Sequence, residues 1–220
     1  MTVLAIAHRA GNDLEALTSA TELGAHVLET DVHRSRGRLE VRHSKALGPL
    51  PLLYDEGRFT RRPVSPLLLH EVLDAVRAGQ SLMLDLKGPG AVGLHVAEAV
   101  HSRVPDVPVL VCSRHWAGVD DVWHRPWARP VLSARNATEL RRLRRRVRGP
   151  RAPYGVSLHR SLLDPGVVAE LQERVELVMS WPINDLTALD DVLARGVRGV
   201  ISDERDVLKA VLELPSARRP

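Results

Sequence analysis

Residues 27–33 read Val27-Leu28-Glu29-Thr30-Asp31-Val32-His33, an apolar run that turns acidic before it ends. Alternating side chains in a strand point to opposite faces, so Glu29 and Asp31, two apart, share one. Two carboxylates aimed into a protein need a partner, because unpaired buried charge is costly. A divalent cation is one such partner. Ala5-Ile6-Ala7-His8-Arg9 before this stretch and Leu39-Glu40-Val41-Arg42-His43 after it have the same form. Each runs from apolar residues into a side chain able to do chemistry.

Outward from this stretch the pattern repeats. Strands are expected at Val3–Ala7, Val27–Val32, Ser81–Lys87, Val107–Cys112, Pro130–Ser133, Tyr154–Leu158, Glu176–Trp181 and Val197–Ser202. Helical spacing follows each of them, over Asp13–Leu23, from Pro66 to Val76, and over Ala91–Val104, Trp116–Trp123, Ala137–Val147, Pro165–Arg174, Leu186–Ala194 and Glu204–Leu214. Gly24 is placed to end the first helix, and Pro66 to open the second from a first helical position. Strands alternating with helices give a parallel sheet. Eight such units make a closed (β/α)8 TIM barrel, with the open doubly wound sheet as the alternative. Residues 44–65, rich in Pro and Gly, read as a short irregular loop over one end. No linker divides the chain, so residues 1–220 read as a single barrel domain.

Composition narrows the function. Hydrophobic residues make up 44% and charged residues 26%, the balance of an ordinary soluble protein. Aromatics are only 3%, so Leu, Val and Ala must build the core. A net charge of +4 and a pI near 9.8 favour anionic partners without implying nucleic acid. The basic run Arg141–Arg148 contains Leu143 and Val147 at helical spacing and reads as an outer helix with a solvated face. The single cysteine, Cys112, sits in an apolar run, excludes an internal disulfide and reads as an inert buried thiol. The amino terminus lacks the form of a signal peptide and no run is long enough to span a bilayer, so a cytoplasmic protein without stable membrane insertion is expected.

In a TIM barrel the chemistry collects at the C-terminal ends of the strands. Here those ends bring Glu29, Asp31 and Asp85 together. Their oxygen-only donor set selects one hard divalent cation, Mg²⁺ or Ca²⁺. The plainer alternative pairs each acid with an arginine. His8 and His43 end strand-like segments beside the cluster and form a candidate general acid and base. Arg9 and Lys87 suit a phosphate, one as a planar fork and the other as a point charge. Trp181, Asn184 and His159 are expected around the substrate, with His115 as a further pocket candidate.

These motifs resemble the glycerophosphodiester phosphodiesterase family. Its His-Arg-Gly is similar to His8-Arg9-Ala10, and its Glu-x-Asp to Glu29-Thr30-Asp31, preceded by Glu22-Leu23-Gly24-Ala25. Its His-Asp resembles His43-Ser44, and its Glu-x-Lys resembles Asp85-Leu86-Lys87. The late aromatic-Thr-Val-Asn and Gly-Ile-x-Thr-Asp motifs resemble Trp181-Pro182-Ile183-Asn184 and Gly199-Val200-Ile201-Ser202-Asp203. The resemblance implies a hydrolase of lipid and glycerol metabolism. It would cleave a small-molecule glycerophosphodiester to glycerol 3-phosphate and an alcohol, with metal on Glu29, Asp31 and Asp85 and with His8 and His43 as the acid/base pair. Ala10 departs from a glycine, Ser44 from an acid, Asp85 from a longer glutamate, and the family's Pro-Glu-Asn-Thr segment is not recognisable. Glu29-Thr30-Asp31 and Asp85-Leu86-Lys87-Gly88 also look like sphingomyelinase D-type phospholipases, which cleave lipid phosphodiesters. A barrel that binds a phosphodiester without cutting it is the non-enzymatic alternative, and the His pair argues against it.

Overall fold

In a computed structural model, residues 2–48, 50–55, 57–77, 79–88 and 91–215 are described. The strands are β1 (Leu4–Ala7), β2 (Val27–Ser35), β3 (Arg38–Val41), β4 (Lys45–Ala46), β5 (Leu52–Asp55), β6 (Arg58–Arg61), β7 (Ser81–Lys87), β8 (Val109–Ser113), β9 (Ala128–Ala134), β10 (Gly155–His159), β11 (Leu177–Trp181) and β12 (Gly199–Ser202). The helices are α1 (Leu14–Leu23), α2 (Leu69–Ala75), α3 (Val92–Arg103), α4 (Ala117–Asp120), α5 (Ala137–Val147), α6 (Pro165–Gln172), α7 (Leu186–Ala194) and α8 (Arg205–Leu212).

Eight strands pair in parallel in the order β1-β2-β7-β8-β9-β10-β11-β12, and β12 returns to β1 to close the barrel. These are the eight expected from the sequence. Both faces of each strand are covered, which is why they read as nearly continuous apolar runs. Inside the barrel, Ile6, Val27, Met83, Leu110, Val131, Met179 and Ile201 form a plug below the site, and Cys112 belongs to it. Burial pushes the Cys112 thiol well above its ordinary pKa, as an inert core cysteine requires. A larger apolar layer joins the outside of the barrel to the helices. No described helix is long and apolar enough to cross a membrane.

The basic helix α5 buries Leu140, Leu143 and Val147 and starts on an Asn136 side chain that accepts from the Thr138 and Glu139 amides. Its arginines are mostly engaged. Arg142 lies over Trp116 and Arg146 over Trp123, each 4.9 Å from the ring centroid. Arg144 and Arg148 pair with Glu170, and Arg146 with Asp120.

Two expectations need correction. Residues 44–65 are not an irregular loop: Lys45–Ala46, Leu52–Asp55 and Arg58–Arg61 form an antiparallel three-stranded sheet, β4-β5-β6. Leu53 is its inward anchor, whereas Tyr54 and Phe59 face out, so apolar periodicity gave little sign of the strands. Pro49 lies outside the described residues. The second helix starts at Leu69 rather than at Pro66, because residues 67–68 are drawn into extended pairing with β3. The Val41 amide donates to the Leu67 carbonyl at 2.8 Å, and Leu68 bridges Glu40.

Candidate active site

The C-terminal mouth of the barrel opens into a cavity of about 1050 Å³. Glu29, Asp31 and Asp85 meet at its floor, with ligand oxygens all within 4.8 Å of one another. The parallel register sets Asp31 beside Asp85 and His33 beside Lys87. Glu29 and Asp31 are buried. Burial, reinforced by the Asp31 charge, raises the Glu29 carboxyl well above its ordinary value. Burial also raises Asp85, against the pull of Lys87. Burial works the same way on Asp31, but the Lys87 charge and hydrogen bonds from Lys87 and Asn12 outweigh it and hold its pKa low.

Lys87 Nζ lies 2.7 Å from Asp31 Oδ1 and also contacts Asp85. Burial alone would lower its pKa, yet the charges of Asp85, Asp31 and Glu29 raise it, so Lys87 is a fixed cation. Three buried carboxyl groups crowd around a single ammonium, so the ionised form of Glu29 and Asp85 calls for further positive charge. That demand and the all-oxygen donor set fit a hard divalent cation.

The segment after β1 shapes this floor. Arg9 adopts a left-handed backbone with φ 57°, an uncommon state for a non-glycine residue. The turn aims the Arg9 amide at Glu29 Oε2, 2.6 Å away. Asn12 then clamps Asp31 twice: its Nδ2 donates to Asp31 Oδ2 and its Oδ1 accepts from the Asp31 amide, both at 2.8 Å. Gly11 makes the close approach possible, since a Cβ there would lie 1.8 Å from Thr30 Oγ1.

Each candidate histidine rests on a carboxylate. His8 Nδ1 donates to Asp203 Oδ1 at 2.8 Å, and Asn184 Nδ2 donates to the other oxygen of Asp203 at 3.2 Å. His43 Nδ1 donates to Asp55 Oδ1 at 2.8 Å, while the Arg9 guanidinium donates to His43 Nε2 at 2.9 Å. That pattern places the His43 proton on Nδ1 and a lone pair on Nε2. An acid thus stands behind His43, drawn from β5 rather than from position 44. Below this arm, buried Glu40 pairs with Arg42 and Arg62, and Arg62 also reaches Ser35.

Across the cavity, His159 meets the Trp181 ring edge-on at 5.2 Å. Burial, with Arg135 and Arg160 nearby, lowers the His159 pKa. His8, Arg9, Glu29, His43, Asp85, Lys87, His159, Trp181 and Asn184 all line this one cavity, with Asp31 in the floor cluster. His115 lines it too. The sequence gives no role to Asn12 or Asp55, and Asp203 enters only as the last residue of the motif Gly199–Asp203. Serine at position 44, where an acid is expected, was the available signal for Asp55. His33 is also on the wall; burial and then Arg42 lower its pKa to about 4, leaving it neutral.

The fold and mouth define a (β/α)8 barrel with a carboxylate floor flanked by two His–Asp pairs. By sequence, no family profile and no curated protein matches the chain. Solved structures do match it along nearly its full length. An Oleispira antarctica phosphodiesterase, solved with the product sn-glycerol-3-phosphate, aligns with TM-score 0.76 at 19% identity, over 96% of this chain and 97% of that one. The glycerophosphodiester phosphodiesterase of Thermotoga maritima aligns with TM-score 0.72 at 19% identity, over 98% and 100%. That of Parabacteroides distasonis gives 0.69 at 18%, over 96% and 97%. The chain shares the fold of these enzymes.

Proposed function

We propose that this chain hydrolyses glycerophosphodiesters to glycerol 3-phosphate and an alcohol. The observation that carries the reading is the pair of imidazoles on carboxylates, His8–Asp203 and His43–Asp55, flanking the carboxylate floor. A binding protein has no need of two oriented proton-transfer groups. The fold shared with glycerophosphodiester phosphodiesterases supports the same reading.

Glu29, Asp31 and Asp85 would hold a divalent cation, which when bound supplies charge stabilisation at a phosphate oxygen. Asn12 and the Arg9 amide keep Asp31 and Glu29 in place, and Lys87 ties Asp31 to Asp85. Both Nδ1 protons are committed to carboxylates, so Nε2 of each histidine is the atom that exchanges a proton with substrate. One imidazole takes the proton of the attacking oxygen, either water or the neighbouring glycerol hydroxyl. The other protonates the leaving alcohol. The Arg9 guanidinium, on His43 Nε2 here, has the fork geometry to turn onto the phosphate and free that lone pair. Trp181 and His159 wall the far side of the cavity.

The test is release of glycerol 3-phosphate from glycerophosphocholine, first after chelation and then with Mg²⁺ or Ca²⁺ restored. Release that stops on chelation and returns with metal is expected. His8→Ala and His43→Ala should each lose at least about a hundredfold in rate with the fold intact by circular dichroism. Full activity in either variant removes that residue from the mechanism.

A further inference from the structure

We infer that the β4-β5-β6 sheet is a docking face for an anionic phospholipid surface, which presents the phosphodiester to the adjacent cavity. Directly opposed residues in an antiparallel pair share a face, as do residues two apart on one strand. The registers Lys45↔Tyr54, Tyr54↔Phe59 and Leu52↔Arg61 therefore put Lys45, Leu52, Tyr54, Phe59 and Arg61 on one face. The opposite face carries Leu53, buried at 5% exposure, and Asp55, bonded to His43, so it is the one turned to the barrel. The outward face is a tilted aromatic pair, Tyr54 and Phe59, at 5.3 Å, with cations at its margins.

Ordinary surface sheets put polar residues on the solvent side. Here Phe59 is 66% exposed, and of the seven large hydrophobics exposed among the described residues, four (Leu50, Tyr54, Phe59 and Val64) lie between positions 50 and 64. Among the described residues of this face the charges, Lys45 and Arg61, are both positive and exposed. Arg58, opposite Asp55 at the hairpin end, is exposed as well, while the described acids nearby, Glu40 and Asp55, are turned onto Arg42, Arg62 and His43. Exposed aromatics flanked by cations match the two components of an anionic bilayer surface, its interfacial layer and its headgroup charge. The face is also continuous with the site, since Lys45 and Tyr54 line the cavity mouth as well. What the docked protein cleaves rests on the function proposed above; the docking does not.

The experiment is co-sedimentation of the full chain with vesicles of phosphatidylcholine containing phosphatidylglycerol, against phosphatidylcholine alone, at low and high salt. Binding to the mixed vesicles only, lost at high salt, is expected. Phe59→Ser should weaken it about tenfold, and Arg61→Ser about fivefold. Neither residue lines the cavity. Hydrolysis of soluble glycerophosphocholine by both variants should match the parent, while hydrolysis of a lysophospholipid carried in mixed vesicles should fall with binding. Absence of vesicle binding, equal binding to neutral vesicles, or binding unchanged in Phe59→Ser overturns the inference. So does dimerisation that Phe59→Ser abolishes without any vesicle binding, which would assign the face to a second copy of the chain. Vesicle binding without hydrolysis of any substrate would sustain the docking and sink the phosphodiesterase reading.

Discussion

At the scale of single residues, Asp55 and Gly11 carry separate and measurable consequences. Asp55 accepts the Nδ1 proton of His43 and so leaves Nε2 as the nitrogen that, under the proposed function, exchanges a proton with substrate. Asp55→Asn keeps the shape but offers an amide where a carboxylate is needed. A drop in kcat of at least about tenfold, with KM little changed, is expected; orienting acids of this type are worth up to about 10⁴. Steady-state kinetics with the soluble diester would check it, and an unchanged kcat would make the contact incidental. Gly11 bears instead on assembly of the floor. Gly11→Ala would force a methyl against Thr30 Oγ1 and shift the turn that holds Asn12 on Asp31. It should cost about 1–3 kcal/mol in denaturant unfolding. Thr30→Ala removes a buried hydroxyl that has no hydrogen-bond partner among the described residues, and the nearest obstacle to the new Cβ then becomes Thr30 Cβ at 3.0 Å. The double variant should therefore be less destabilised than the sum of the two singles. The floor acids were legible in the sequence because strand periodicity puts Glu29 and Asp31 on one face. Their supports were not. Asn12 sits in a turn without periodicity, and Asp55 reaches His43 from a strand whose outward residues are the apolar ones.

At the scale of elements, α5 separates what charge does from what packing does. Its inner face is Leu140, Leu143 and Val147, with Leu143 fully buried. Leu143→Ala should destabilise by about 2–5 kcal/mol. Arg145, exposed on the opposite face, should tolerate Ala within about 0.5 kcal/mol. Thermal melts of the two variants would compare them, and a larger loss at Arg145 would mean that the basic face carries structure. The eight barrel strands were legible because parallel strands are buried on both faces and leave continuous apolar runs. The start of α2 was misplaced for a related reason. Proline marks where a helix is permitted to begin, but residues 67–68 make better contacts as an extended partner of β3.

At the scale of the whole molecule, the barrel closes at a thin seam. Between β1 and β2 only Ile6↔Val27 and Ala7↔Leu28 are paired. The Ala5 amide, just below that pairing, donates to His26 Nδ1 at 2.9 Å, so the ring must be neutral to accept. Burial lowers the His26 pKa below 6.5 in the folded chain. The unfolded chain therefore takes up the proton first as pH falls, and the contribution to stability is present above about pH 6.5 and lost below it. His26→Asn, which keeps an acceptor that does not titrate, should flatten the fall in melting temperature between about pH 7 and pH 5.5. An identical pH slope in parent and variant would clear His26 of that role.

The bond between His8 and Asp203 joins residues 195 positions apart in sequence. A polypeptide emerging from the ribosome carries His8, Glu29, Asp31 and His43 early, yet His8 stays without its carboxylate until the last strand is made and docked. Premature termination before Asp203 would leave a product that keeps Glu29, Asp31 and Asp85 while lacking the carboxylate that orients His8. Under the proposed function, turnover would thus report completed synthesis and ring closure together. Two fragments cut between β7 and β8 would make a complementation assay, in which activity returns only when the first and last strands meet again.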